Sequence, residues 1–195
     1  MDIKDILTDA PTEKIVPGFG PTNADVFVLG AVPTPIAQMH TIKNVLMPYA
    51  NINPSLCRFE TVMQDKLFTV KKPTLEQIRK ERPMVLARIA IIKPKIIFAL
   101  GKLAMLSLDI KGPLSVLHGT TTKIIFGTQQ YIVYSMYDPE AAVLNPDLMP
   151  SLVSDWKKLG AQYMYYDTLK VDPVDAELEE EGWMQAPKAL QSTIA

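Results

Sequence analysis

The sequence predicts an α/β fold in three layers, α/β/α, with a central, mostly parallel sheet of four to five strands. Three observations predict it. Short runs rich in β-branched and aromatic residues alternate with longer stretches whose apolar residues recur at helical spacing. The short runs are continuously apolar, as strands buried on both faces are. Two of them, Ala24–Gly30 and Lys95–Gly101, close on glycine, where a strand can turn sharply into the next element.

The elements follow in order. Residues 1–24 read as a polar lead-in ending in the turn-rich Pro17-Gly18-Phe19-Gly20-Pro21. Ala24–Gly30 is the first strand. Ile36, Met39, Ile42, Val45, Leu46 and Tyr49 carry helical spacing through residues 36–49. Cys57–Met63 is a second, weaker strand. Thr74 with Gln77 three residues on is a capping-box start for a helix reaching Ile92. Pro83 inside it predicts a kink or a break. Lys95–Gly101 is the clearest strand, followed by a short helix over Lys102–Leu108. Strands are expected at Thr122–Phe126 and Gln130–Met136, and a helix from Pro146 to Leu159. Tyr163, Tyr165 and Tyr166 suggest a closing strand over 161–168, although tyrosines can also stack on bases.

The chain has 195 residues and 48% hydrophobic content, which suits one core-forming domain. Its net charge of −1 is unevenly spread. The segment 171–195 carries six acids (Asp172, Asp175, Glu177, Glu179, Glu180, Glu181) against Lys188. Taking these from totals of 21 acidic and 20 basic residues leaves 15 and 19, a net of +4 for the first 170. The expected organisation is therefore a mildly basic domain over 1–170 and an acidic tail over 171–195. The tail reads as a solvated linker or, through Trp183 and Met184, as a short docking peptide. One cysteine, Cys57, cannot form an internal disulfide or by itself hold a metal, and is expected to be a buried apolar side chain. No cofactor or metal is expected. The charged N-terminus is no signal peptide and no apolar run spans a membrane, so an intracellular, cytoplasmic protein is expected.

In parallel sheets of this kind, ligands bind beyond the carboxyl ends of the strands. That directs attention to Gly30–Thr34, to Gly101 onward, and to Tyr137–Asn145. None carries a phosphate-loop pattern, and Gly101-Lys102 is read first as a tight turn. Asp138 is either a catalytic carboxylate or a turn residue before Pro139. His118 and His40, the only two histidines, contact a phosphate or base, or are structural.

The series of landmarks carries a resemblance. Gly30-Ala31-Val32-Pro33-Thr34 closes the first strand, and Glu60-Thr61-Val62-Met63 the second. Glu81-Arg82-Pro83 leads through a helix to Lys93-Pro94-Lys95, an apolar strand and Leu100-Gly101-Lys102-Leu103-Ala104. His118-Gly119 follows, then Tyr137-Asp138-Pro139-Glu140 and Leu144-Asn145-Pro146. Over roughly residues 15–160 this order resembles the uracil-DNA glycosylase superfamily. It is closest to the bacterial and archaeal branch that carries an iron–sulfur cluster. The resemblance implies a glycosylase-like three-layer fold.

It also implies where chemistry is missing. Expelling a uracil anion from an oxocarbenium-like sugar needs a group that handles water and a donor that stabilises the anion. The family has an acidic residue in its first motif, where Ala31 stands, and a histidine in its last, where Asp138 stands. The asparagine expected around Thr61-Val62, the stacking phenylalanine-glycine (here Gln38-Met39-His40-Thr41) and the cluster cysteines (Glu81 at one position) are also replaced. The expected function is a non-catalytic, DNA-binding accessory protein: a replication or polymerase processivity factor, possibly viral, then acting in a bacterial host's cytoplasm. Its phosphate contacts would come from Pro33, Thr34, Lys102, His118, Lys123, Tyr137 and Asn145. A polymerase or another replication protein would dock on the tail. A divergent glycosylase working through Asp138 and a protein-interaction subunit without DNA binding are the alternatives.

Overall fold

The structure, a computed structural model, describes residues 18–32, 42–64 and 72–169. Five strands form one sheet: β1 (Val26–Gly30), β2 (Cys57–Thr61), β3 (Ile96–Leu100), β4 (Thr120–Phe126) and β5 (Gln129–Met136), in the order β2-β1-β3-β5-β4. The first four in that order are parallel, and β4 returns antiparallel on β5, with Thr120 opposite Ser135. The mostly parallel expectation therefore holds, with one antiparallel edge.

Period-two alternation divides the core between the faces. Val26, Val28, Ile96, Phe98, Tyr134 and Met136 pack with α1 (Met47–Ala50) and α6 (Met149–Leu169). Phe27, Leu29, Ile97, Ala99 and Val133 pack with α2 (Leu75–Ile92) and α3 (Gly101–Ser107). Short helices α4 (Leu114–Leu117) and α5 (Pro139–Leu144) flank the last hairpin. The three layers are thus α1/α6, sheet, and α2/α3.

The capping box forms as the sequence predicts: the Gln77 N–H donates to Thr74 Oγ1, and the Thr74 N–H to Gln77 Oε1 at 2.8 Å. Pro83 does not break the helix, which runs unbroken to Ile92. Proline frees the carbonyl of Arg79, but both residues are exposed, so water can satisfy it. The helix expected over 36–49 is described from Ile42, as a π-helical turn (Ile42–Leu46) leading into α1. The closing strand over 161–168 is not there. Met149–Leu169 is one helix, longer than the expected Pro146–Leu159, and Pro146–Leu148 is a separate 3-10 turn. Its buried residues Leu152, Trp156, Leu159 and Tyr163 follow helical spacing, which overrides the local alternation of tyrosines.

The open edge strand β2 is managed by charge. Glu60 is buried on the face toward α2, and it takes two arginines. Arg88 of α2 donates from one guanidinium nitrogen to Oε2 at 2.7 Å, and Arg58 Nε to Oε1 at 2.9 Å. The second terminal nitrogen of Arg88 reaches the Thr61 carbonyl, and Arg58 reaches the carbonyl of Gly20. Phe19 adds a bridge to Phe59 on the outer edge of β2. One carboxylate thus ties the entry segment, β2 and α2 together. Replacing it strands two guanidinium groups, whereas removing Arg88 leaves Glu60 still paired with Arg58. Glu60→Gln is therefore expected to cost about 3–5 kcal/mol, clearly more than Arg88→Met, in urea denaturation of the two variants.

Candidate functional site

Above an apolar sheet, polar groups can gather only where the strands stop. β1 leaves into Ala31 and Val32, β2 into Val62, Met63 and Gln64, and β3 turns at Gly101 directly into α3. β5 leaves through Tyr137 and Asp138 into α5. Because β4 is antiparallel, its start lies on the same rim, where the Gly119 N–H donates to the Ser135 carbonyl at 2.8 Å.

Ala31 is buried, and its carbonyl accepts the Met63 N–H at 3.0 Å. Its side chain offers no polar atom. Asp138 sits beside the β3–α3 turn: a Cβ on Gly101 would lie 3.2 Å from that of Asp138. Its Oδ1 accepts the Glu140 N–H at 2.9 Å, capping α5. This is the turn role that aspartate before proline suggests. Burial pushes the carboxyl up to about 6; the Glu140 N–H works against this and the Glu140 charge adds to it.

The other charged element of the rim is a pair. Nδ1 of His118 lies 3.0 Å from each carboxylate oxygen of Asp155, a residue of α6 that is 1% exposed. The Tyr137 ring packs against the imidazole with centroids 4.6 Å apart and planes tilted by 36°. The Tyr134 hydroxyl donates to the Asp155 carbonyl at 2.8 Å. Gly119, at φ +70, makes the approach possible, since a Cβ there would stand 2.6 Å from Asp155 Oδ1. Burial raises the Asp155 carboxyl, opposed by the hydrogen bond and charge of His118 and by Lys158.

The structure brings His118, Tyr137, Asp138 and Lys102 to one rim, with Lys102 exposed in the first turn of α3. Asn145 is exposed at the far end of α5, where its Oδ1 caps the following 3-10 turn. Lys123 is opposite Ile132, three residues along β4 from Thr120 and so about 10 Å from the rim. Pro33, Thr34, His40, Trp183 and Met184 lie outside the described residues. Sequence reasoning missed Asp155. A signal existed: it falls three residues after Leu152 and four before Leu159, on the buried stripe of its helix.

The sequence pattern of the uracil DNA glycosylase superfamily matches residues 17–160, from the turn before β1 to the middle of α6. The chain belongs to this superfamily. No curated protein matches the chain. The five-stranded sheet between helix layers, with its rim at the strand ends, is the fold this superfamily membership calls for. An iron–sulfur cluster does not fit the residues present. The chain has a single cysteine, Cys57, buried in β2, and burial pushes its thiol up to about 12. Among the described residues, no three His, Cys, Asp or Glu side chains gather as a metal site, and no helix is long and apolar enough to cross a membrane.

The raised Asp138 carboxyl has a measurable consequence. A folded value near 6 lies above the ordinary 3.8, so the folded state holds the proton more tightly. Stability falls as pH rises from about 4 through 6, and above 6 the buried charge is a standing cost. Asn keeps the cap and removes the charge. Asp138→Asn is expected to stabilise the protein by roughly 1–2 kcal/mol at pH 7.5 and to lose that advantage by about pH 4. Urea unfolding at the two pH values measures the difference.

Proposed function

We propose that this chain is a DNA-binding accessory protein built on the uracil DNA glycosylase fold, and that it does not excise uracil. One observation carries the reading. At the two rim positions where the resemblance assigns the water-handling acid and the anion donor, the chain has a buried methyl, Ala31, and a carboxylate, Asp138. A methyl group can neither take a proton nor orient water. A carboxylate beside a developing uracil anion raises its energy, because it accepts hydrogen bonds where a donor is required. The landmarks resemble the iron–sulfur branch, but one cysteine cannot supply the cluster's ligands.

DNA binding is supported by the net charge of +4 over the first 170 residues and by Lys102 and His118 on the rim. Contacts of this kind grip phosphate and position the duplex without reading sequence. A role in replication, linking a polymerase to template DNA, accommodates both a binding groove without chemistry and the acidic tail, with Trp183 and Met184 as the docking residues. On this reading the protein acts in the cytoplasm, and in that of a bacterial host if its origin is viral.

The test pairs two assays. Uracil-containing duplex incubated with the protein and then treated to cleave abasic sites is expected to remain intact. Binding to the same duplex is expected to weaken linearly in log–log form with salt, with a slope near −3 to −4, equivalent to about four phosphate contacts. Absence of binding at low salt would end this reading. A second reading, a divergent glycosylase using Asp138 as base, has one observation in its favour: the buried carboxyl raised to about 6. Strand cleavage that disappears in Asp138→Ala would establish it instead.

A further inference from the structure

The sequence Leu117-His118-Gly119 writes a turn with a purpose at each residue. Helix α4 ends at Leu117, and His118 takes an extended conformation as its C-cap. Gly119 then turns through positive φ and leaves the space that the Asp155 carboxylate occupies. The result is an imidazole fixed on three sides. Asp155 holds Nδ1, Tyr137 covers one ring face, and the backbone turn sets the direction of approach. The His118 side chain is one quarter exposed, and Nε2 has no hydrogen-bond partner among the described residues.

The electrostatics follow from burial. A carboxylate taken out of water must be compensated by charge and hydrogen bonds. Among the described residues, the Asp155 carboxylate receives its hydrogen bonds from His118 alone. A carboxylate only accepts, so the inner nitrogen of the ring carries the proton between them. An imidazolium donates from both nitrogens. The inner N–H is committed to Asp155, and the outer N–H is left for an acceptor outside. The other groups around the ring do not compete for that role. Tyr134 points its hydroxyl at the Asp155 carbonyl, the Thr120 hydroxyl is turned to the Leu117 carbonyl, and Lys158 acts on Asp155 from the same helix. Asp138, next to Tyr137, spends Oδ1 on the Glu140 N–H.

We propose that His118, pinned by Asp155, is a proton-linked phosphate clamp: its outer N–H binds a backbone phosphate oxygen of DNA only when the ring is charged. The proposal rests on the DNA-binding reading above and adds to it a residue, a ligand atom and a pH dependence. Asp155 is the positioning residue. It never meets the DNA, but it keeps the ring oriented and its proton in place. Affinity is then greatest at low pH and falls as pH rises through the His118 midpoint.

The test follows the two histidines of the chain by proton NMR, with His118→Gln assigning the His118 signal. Adding a short duplex is expected to raise the His118 midpoint. In fluorescence anisotropy at pH 6, His118→Gln is expected to bind about ten-fold more weakly and to show a salt slope shallower by about one. Above the midpoint that NMR gives for the parent, the two proteins should bind alike. Asp155→Asn should weaken binding at pH 6, because the ring loses the carboxylate that orients it. The comparison between parent and variant removes the titration of Asp138, which both share. If His118→Gln binds DNA with the parent's salt slope and its midpoint ignores DNA, the clamp is wrong and DNA binding survives. If the parent protein binds no DNA, the functional reading fails and the clamp fails with it.

Discussion

Every residue of β1 and β3 is buried, on both faces of the sheet. The rest of the structure depends on that constraint. Two adjacent strands without a solvent-facing side can hold only apolar side chains, which is why Phe27, Leu29, Ile97 and Phe98 carry the core. They also need helices above and below, so α1 and α6 on one side and α2 and α3 on the other are not decoration but the condition for the sheet to exist. Polar chemistry is expelled to the strand ends as a result.

Glu60 and Asp155 nevertheless sit in the interior, and their partners differ. Glu60 is met by two guanidinium groups, neither of which can lose its charge under ordinary conditions. Among the described residues, Asp155 is met by one imidazole alone. The first arrangement ties three chain segments together. The second links a helix of the α1/α6 layer to the turn entering β4, and it is the pair on which the proposed phosphate contact rests.

Much of this was legible in the sequence, for reasons particular to each element. The strands of the sheet announce themselves because continuous apolar runs have few alternatives, and Thr74 with Gln77 marks a helix start whose hydrogen bonds are local. Pro83 left a kink or a break open, and the break does not follow because the cost of proline depends on whether the freed carbonyl can meet water, which is a tertiary fact. The tyrosines after Gln162 misled for a similar reason: alternation over four residues is weaker than the seating of Trp156 and Leu159 in a long helix. His118 was visible as a candidate, but its partner was not, because Asp155 is 37 residues away and only the packing of α6 on β5 brings them together. Lys123 looked equivalent to Lys102 in sequence, and register separated them.

The charge pattern of the rim bears on binding and excision in different ways. Asp138 stands at its centre, beside the β3–α3 turn, while Lys102 and His118 stand on elements to either side, α3 and the β4 turn. An anion forming at the centre meets a carboxylate, whereas a phosphate backbone crossing the flanks would meet Lys102 and the His118 imidazole. The two processes therefore do not share their electrostatics. Excision needs positive potential at a single point where charge develops, and backbone binding needs it spread along a path. A carboxylate at the middle of the rim and basic side chains at its margins disfavour the first while leaving the second open, which is what the proposed role requires of the site.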